Sequence, residues 1–224
     1  MRSPAALVLA AAFALPGIAT ASGSSAMSAP PPQMPRLTPE QEAVELYNDG
    51  ISYRDKADKY DKESAGENDA AKKAKLLEKS RSQHESSIKK LQKAVAKDPT
   101  MFQAWGSLGY AYRKTGKYTS ALEAYDKALA VEKSYAPAIE YRAEAYLGLN
   151  RLEEVKSAYM TLFNTDRARA DELVLAMQKW LEKRQTDPTG VDPATLEDFG
   201  KWVAERRQLA SQTSAITDPK RPRW

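Results

Sequence analysis

The chain contains no cysteine and a single histidine, His84, among 224 residues. Without cysteine there are no disulfides, no thiol nucleophile, no thiolate metal site and no lipid-modified cysteine anchor. With one histidine and no thiol, a zinc ligand set of the usual kind and a Ser-His or Cys-His catalytic pair are missing. The sequence therefore predicts no metal and no cofactor. His84 falls between Leu77 and Ile88, Leu91 and Val95 at helical spacing, so a packed ring is expected rather than a general base.

Long apolar runs are scarce as well. The longest, Ala5 to Leu15, is too short to span a bilayer, which needs about 20 residues. It follows Arg2 and precedes Pro16-Gly17 and Ala19-Thr20-Ala21, which is the layout of a secretory signal peptide. Cleavage after Ala21 is expected, with the protein exported to a periplasm or secreted. A strong charge imbalance is also absent. The formal net charge of +4 is spread over 34 basic and 30 acidic residues, which is no nucleic-acid footprint despite a pI near 9.0.

What is present is helix, almost everywhere. Residues 22–37 are Ser- and Pro-rich and read as a disordered linker. In "LTPEQ", Thr38 and Gln41 form a capping box around Pro39, so the folded part begins there. Gly and Pro then appear where helices should stop, at Gly66, Pro99, Gly116, Gly148 and Pro188-Gly190. β-branched alternation is missing, so no sheet is expected. Residues 213–224 are polar, basic and Pro-containing, and read as a flexible tail.

A period of 34 residues runs through the centre. Gly109 matches Ala143, Tyr112 matches Tyr146, Ala121 matches Val155 and Tyr125 matches Tyr159. Trp105, Leu108 and Tyr112 lie one turn apart and give the apolar seam of one helix, while Tyr118, Ala121, Tyr125 and Ala128 give that of the next. Gly109 and Ala121 are small where two axes must approach to about 8–10 Å. The run Trp105-x-x-Leu108-Gly109-x-x-Tyr112 followed by Ala121-x-x-x-Tyr125 resembles the tetratricopeptide repeat family.

Two repeats are predicted at 101–134 and 135–165. A diverged one at 38–100 carries about 25 extra residues, so a long helical hairpin turning near Gly66 is expected. Residues 166–212 read as closing helices, with Trp180 and Trp202 in the core. The hairpin pairs an acidic segment (eight acids and four bases in 40–63) with a basic one (nine bases and two acids in 70–97). Charge offset between the two explains this. Contact of Lys72, Lys73, Lys75 and Lys79 with an acidic partner or an anionic membrane surface is the sharper alternative.

The resemblance implies an all-α solenoid that binds a protein or peptide along the face made by the first helix of each pair. On that face stand Tyr47 and Arg54 of the first repeat, Gln103, Tyr110, Arg113 and Lys114 of the second, and Glu140 and Glu144 of the third. The places at which some family members clamp a terminal carboxylate hold Tyr47, Ile51, Ser107, Pro137 and Tyr141 instead, so that clamp is absent. The expectation is a mixed groove for a segment with apolar anchors and both charge signs. Tyr110, Arg113 and Lys114 are expected to stand exposed in it. The glycines around "GYAYRKTGKY" do not have phosphate-loop spacing. A non-enzymatic interaction module of the cell envelope follows, with a self-associating structural subunit as the alternative.

Overall fold

A computed structural model describes residues 37–188 and 190–217. The expected export segment, the linker up to residue 36 and residues 218–224 lie outside them. Among the described residues the chain forms eight α-helices and no strand. They are α1 Pro39–Ala65, α2 Ala70–Lys97, α3 Phe102–Lys114, α4 Tyr118–Val131, α5 Ala136–Gly148, α6 Leu152–Thr165, α7 Arg167–Thr186 and α8 Pro193–Thr217. Each odd helix packs on the even one after it, and each even helix up to α6 packs on the next odd one. The odd helices also meet one another, α1 with α3, α3 with α5 and α5 with α7. This is a helix-turn-helix solenoid, as the repeat predicts.

Local chemistry sets where the helices begin. Thr38 and Gln41 cap α1 reciprocally, with Thr38 N–H donating to Gln41 Oε1 at 2.9 Å. Asp69 accepts from Lys72 N–H at 2.8 Å and starts α2, Asp166 caps α7, and Asp192 accepts from Thr195 N–H at 3.0 Å as α8 begins. α8 continues to Thr217, so helix reaches into the stretch expected to be a loose tail from 213. "QTSAIT" holds neither Gly nor Pro, and the first proline after it is Pro219.

The turn between α3 and α4 uses Gly116 at φ 77°, and the equivalent turn 34 residues later uses Asn150 at φ 59°. α5 ends at Gly148, where a stop is expected. A Cβ there would come within 2.5 Å of the Tyr118 ring, so its smallness serves packing, and Asn150 makes the turn. Asn150 is held in place by Arg184 Nη2, which donates to its Oδ1 at 2.8 Å.

The core is continuous. One cluster joins α2 and α3 through Ile88, Leu91, Val95 and Leu108. A second joins α3, α4 and α5 around Tyr125, and a third runs from α5 to α8 around Tyr159, Leu162, Leu173, Met177 and Phe199. Tyr125 and Tyr159 are fully buried, each ring contributing roughly 1.5–3 kcal/mol by area removed from water. Gly109 makes room for Tyr125, since a Cβ would sit 2.6 Å from its ring. Ser87 Oγ donates to Gly50 O at 2.8 Å and ties α2 to α1. At the far end Trp180 meets Phe199 edge-on at 5.6 Å, and Phe199 stacks on Trp202 at 6.2 Å. No described helix is long and apolar enough to cross a membrane.

Candidate partner-binding face

The odd helices bring a ladder of rings and guanidinium groups together. Arg54 of α1 lies 6.0 Å from the Tyr110 ring centre of α3, and Arg113 lies 5.1 Å from both Tyr110 and Tyr141 of α5. Arg169 of α7 lies 5.9 Å beyond, against Tyr141. The two rings meet edge-on at 5.2 Å. Planar cations alternate with π-faces through four successive first helices.

Acids close the ladder from the side. Arg113 donates to Glu144 Oε2 at 2.5 Å, Arg169 pairs with Glu140, and Arg54 donates to Asp55 Oδ1 at 2.9 Å. Tyr110 donates its hydroxyl proton to Asp58 Oδ1 at 2.7 Å, and Lys114 pairs with Asp61. Burial raises the Tyr110 phenol, with the adjacent Asp58 adding to it. Burial works against the Arg113 charge, yet Glu144 and the surrounding tyrosines outweigh it and hold the guanidinium ionised. Burial also lifts the Glu140 carboxyl to about 7, with Glu144 and Glu172 adding to the rise and Arg169 opposing it.

The sequence therefore placed Tyr110, Arg113, Glu140, Glu144 and Arg54 on one face, and the structure joins them there. The exposure expected of Tyr110 and Arg113 is corrected, Tyr110 being half-buried. The Arg113 side chain is only 13% exposed and Glu140 only 5%. The reason is that α5 lays Tyr141 and Glu144 over Arg113, which a reading of one helix at a time does not contain. Lys114 is drawn away to Asp61 on the hairpin. Tyr47 is half-buried beside the α2–α3 cluster, and Gln103 is exposed at the start of α3. Arg169 was missed; its signal was its position two residues into α7, where the first-helix pattern continues past the third repeat.

A second cluster lies where the hairpin meets α3. Asp58 and Asp61 are three residues apart on α1 and face His84 of α2. Nε2 of His84 lies 3.9 Å from Asp58 Oδ1 and 3.7 Å from Asp61 Oδ2. The ring is 1% exposed, which fits the packed histidine expected, but neither of its nitrogens has a hydrogen-bond partner among the described residues. Burial lowers its pKa and the two aspartates pull it back only in part. Burial would raise the Asp61 carboxyl, but hydrogen bonds from Lys114 and Ser80 bring it below its ordinary value. Asp58-x-x-Asp61 is visible in sequence, whereas its register against His84 depends on how the hairpin closes. At the hairpin base the expected charge offset is present, with Lys90 bonded to Asp49 at 2.7 Å and Lys97 paired with Glu42.

Residues 102–135 match the tetratricopeptide repeat family model. The chain is 27% identical over 140 residues to the formate-dependent nitrite reductase complex bifunctional subunit NrfFG of Haemophilus influenzae. That match covers 59% of this chain and 35% of the relative, so the chain spans about a third of the relative's length. Among solved structures, the chain is similar to the first TPR of Spaghetti (RPAP3) bound to an HSP90 peptide, at 20% identity and a TM-score of 0.42. That likeness covers 59% of this chain and 96% of the other. It is likewise similar to MamA, at 18% identity and a TM-score of 0.46, covering 75% of this chain and 96% of that one.

Proposed function

Taking the chain as a tetratricopeptide-repeat protein, we propose that it is a non-enzymatic interaction module that holds a partner segment along the face of α1, α3, α5 and α7. One observation carries this: the ladder from Arg54 through Tyr110, Arg113 and Tyr141 to Arg169 fixes planar donors and aromatic edges across that whole face. Its ion pairs are made before any partner arrives, so little side-chain freedom remains to be lost on binding. The partner reads the edges of the ladder together with Tyr47 and Gln103, while Arg113, Glu140 and Glu144 act from beneath. An extended or helical segment with apolar anchors and both charge signs fits.

The apolar run at Ala5–Leu15 and the small residues at Ala19 and Ala21 support export and a place in the cell envelope. The relative's role as a subunit of a larger complex supports work within an assembly. The test uses a photo-crosslinking residue at the exposed Val44, three residues before Tyr47 on α1, or at Gln103, and, as control, at the exposed Lys127 on α4. The expected result is one adduct of the same mass from the envelope fraction at the first two positions and none at the third. Equal crosslinking from Lys127 overturns the assignment of this face.

A further inference from the structure

We propose that Asp58, Asp61 and His84 form a binding site for one first-row divalent transition-metal ion of the zinc class, at the junction of the hairpin with α3. One oxygen of each aspartate and one nitrogen of His84 lie within 4.8 Å of one another. Two acids on a helix would carry no such inference alone. The independent observation is the histidine. Its ring is 1% exposed, both nitrogens lack a hydrogen-bond partner among the described residues, and Nε2 points at the two carboxylates from 3.7 and 3.9 Å. A buried imidazole without partners is costly, and a bound cation would satisfy the nitrogen that faces the acids.

The spacing suits such an ion. Ligand atoms about 2.1 Å from a tetrahedral zinc stand roughly 3.4 Å apart. His84 Nε2 at 3.7 and 3.9 Å is a few tenths of an ångström from that spacing, and the two carboxylate oxygens, within 4.8 Å of each other, close by up to about 1.4 Å as their side chains turn. The aspartate side chains are 39% and 24% exposed, which leaves them room to turn and leaves a path for the ion and for a water as fourth ligand. Nitrogen beside two carboxylate oxygens favours a borderline ion such as Zn²⁺ over Mg²⁺, which prefers oxygen alone. Tyr110 orients one ligand by donating to Asp58 Oδ1 at 2.7 Å. The ammonium group of Lys114 now pairs with Asp61 and is the ion's competitor. Its side chain is 28% exposed, so it swings into water, still protonated, when the ion enters.

The single histidine makes the test direct, provided the chain carries no histidine tag. Zn²⁺ is titrated into the full chain while the ring ¹⁵N resonances of His84 are followed, with Mg²⁺ in a parallel titration. One equivalent of Zn²⁺ is expected to move them, and Mg²⁺ at the same concentration to leave them in place. Asp58→Asn is expected to weaken Zn²⁺ binding about tenfold or more, and Lys114→Gln to strengthen it about tenfold by removing the competing cation. Circular dichroism verifies that both variants are folded. Zn²⁺ that saturates without moving the His84 ring, or that binds Asp58→Asn as tightly as the parent chain, overturns the site; so does a matching response to Mg²⁺.

Discussion

Arg113 sits between two tyrosine rings with its charge answered by Glu144, and this changes what a substitution there does. On an exposed helix surface, charge reversal alters stability little. Here Arg113→Glu places a carboxylate against Glu144 under the Tyr141 ring. The expected loss is about 3–5 kcal/mol, the range for breaking a buried pair, read as a fall in the urea midpoint. Glu140 gives a pH dependence of defined sign. Its carboxyl ionises near the ordinary 4.5 in the unfolded chain and near 7 in the fold, so the folded state holds the extra proton between those values. Its contribution to stability is full below 4.5 and falls as pH rises through 7. The groups facing it are Arg169, Glu144 and Glu172. Glu140→Gln should flatten this part of the urea-midpoint profile between pH 5 and 7.5, removing a slope on the order of 1–3 kcal/mol.

Among elements, the two inter-helix turns show what a periodic sequence reveals and what it hides. Gly116 at φ 77° has nothing within 4 Å of a built Cβ, so Gly116→Ala tests backbone handedness alone. A loss of about 1–2 kcal/mol is expected in chemical denaturation, against none if the turn relaxes to an ordinary conformation. Its counterpart Asn150, at φ 59° two residues after the α5 end at Gly148, carries a side chain and gives no such signal. The capping box at Thr38, the hairpin turn at Gly66 and the 34-residue matches were legible because each rests on neighbouring residues. The burial of Arg113 and the meeting of His84 with Asp58 and Asp61 were not, because each depends on a residue from another helix. The same limit explains Arg169, whose partners Glu140 and Tyr141 stand 29 and 28 positions away.

Across the whole molecule the three clusters of the core are bridged by partly buried side chains: Trp105 and Tyr112 pack against the first and second, Leu129 and Tyr146 against the second and third. In a stack whose repeats touch only their neighbours, such shared residues decide whether the ends loosen separately. The aromatic positions also give the solenoid an optical address at each end. Trp105 donates its indole N–H to Pro99 O at 2.9 Å near the hairpin, whereas Trp180 and Trp202 flank Phe199 near the carboxy-terminal end. With Trp224 replaced by Phe, Trp105→Phe leaves emission from the far end alone, and Trp180→Phe with Trp202→Phe leaves it from the near end. Because the clusters interlock, both fluorophores should change colour at one urea concentration, once each variant's own stability loss is subtracted. Two separate midpoints would mean that the chain melts from its tips inward, as a row of semi-independent units.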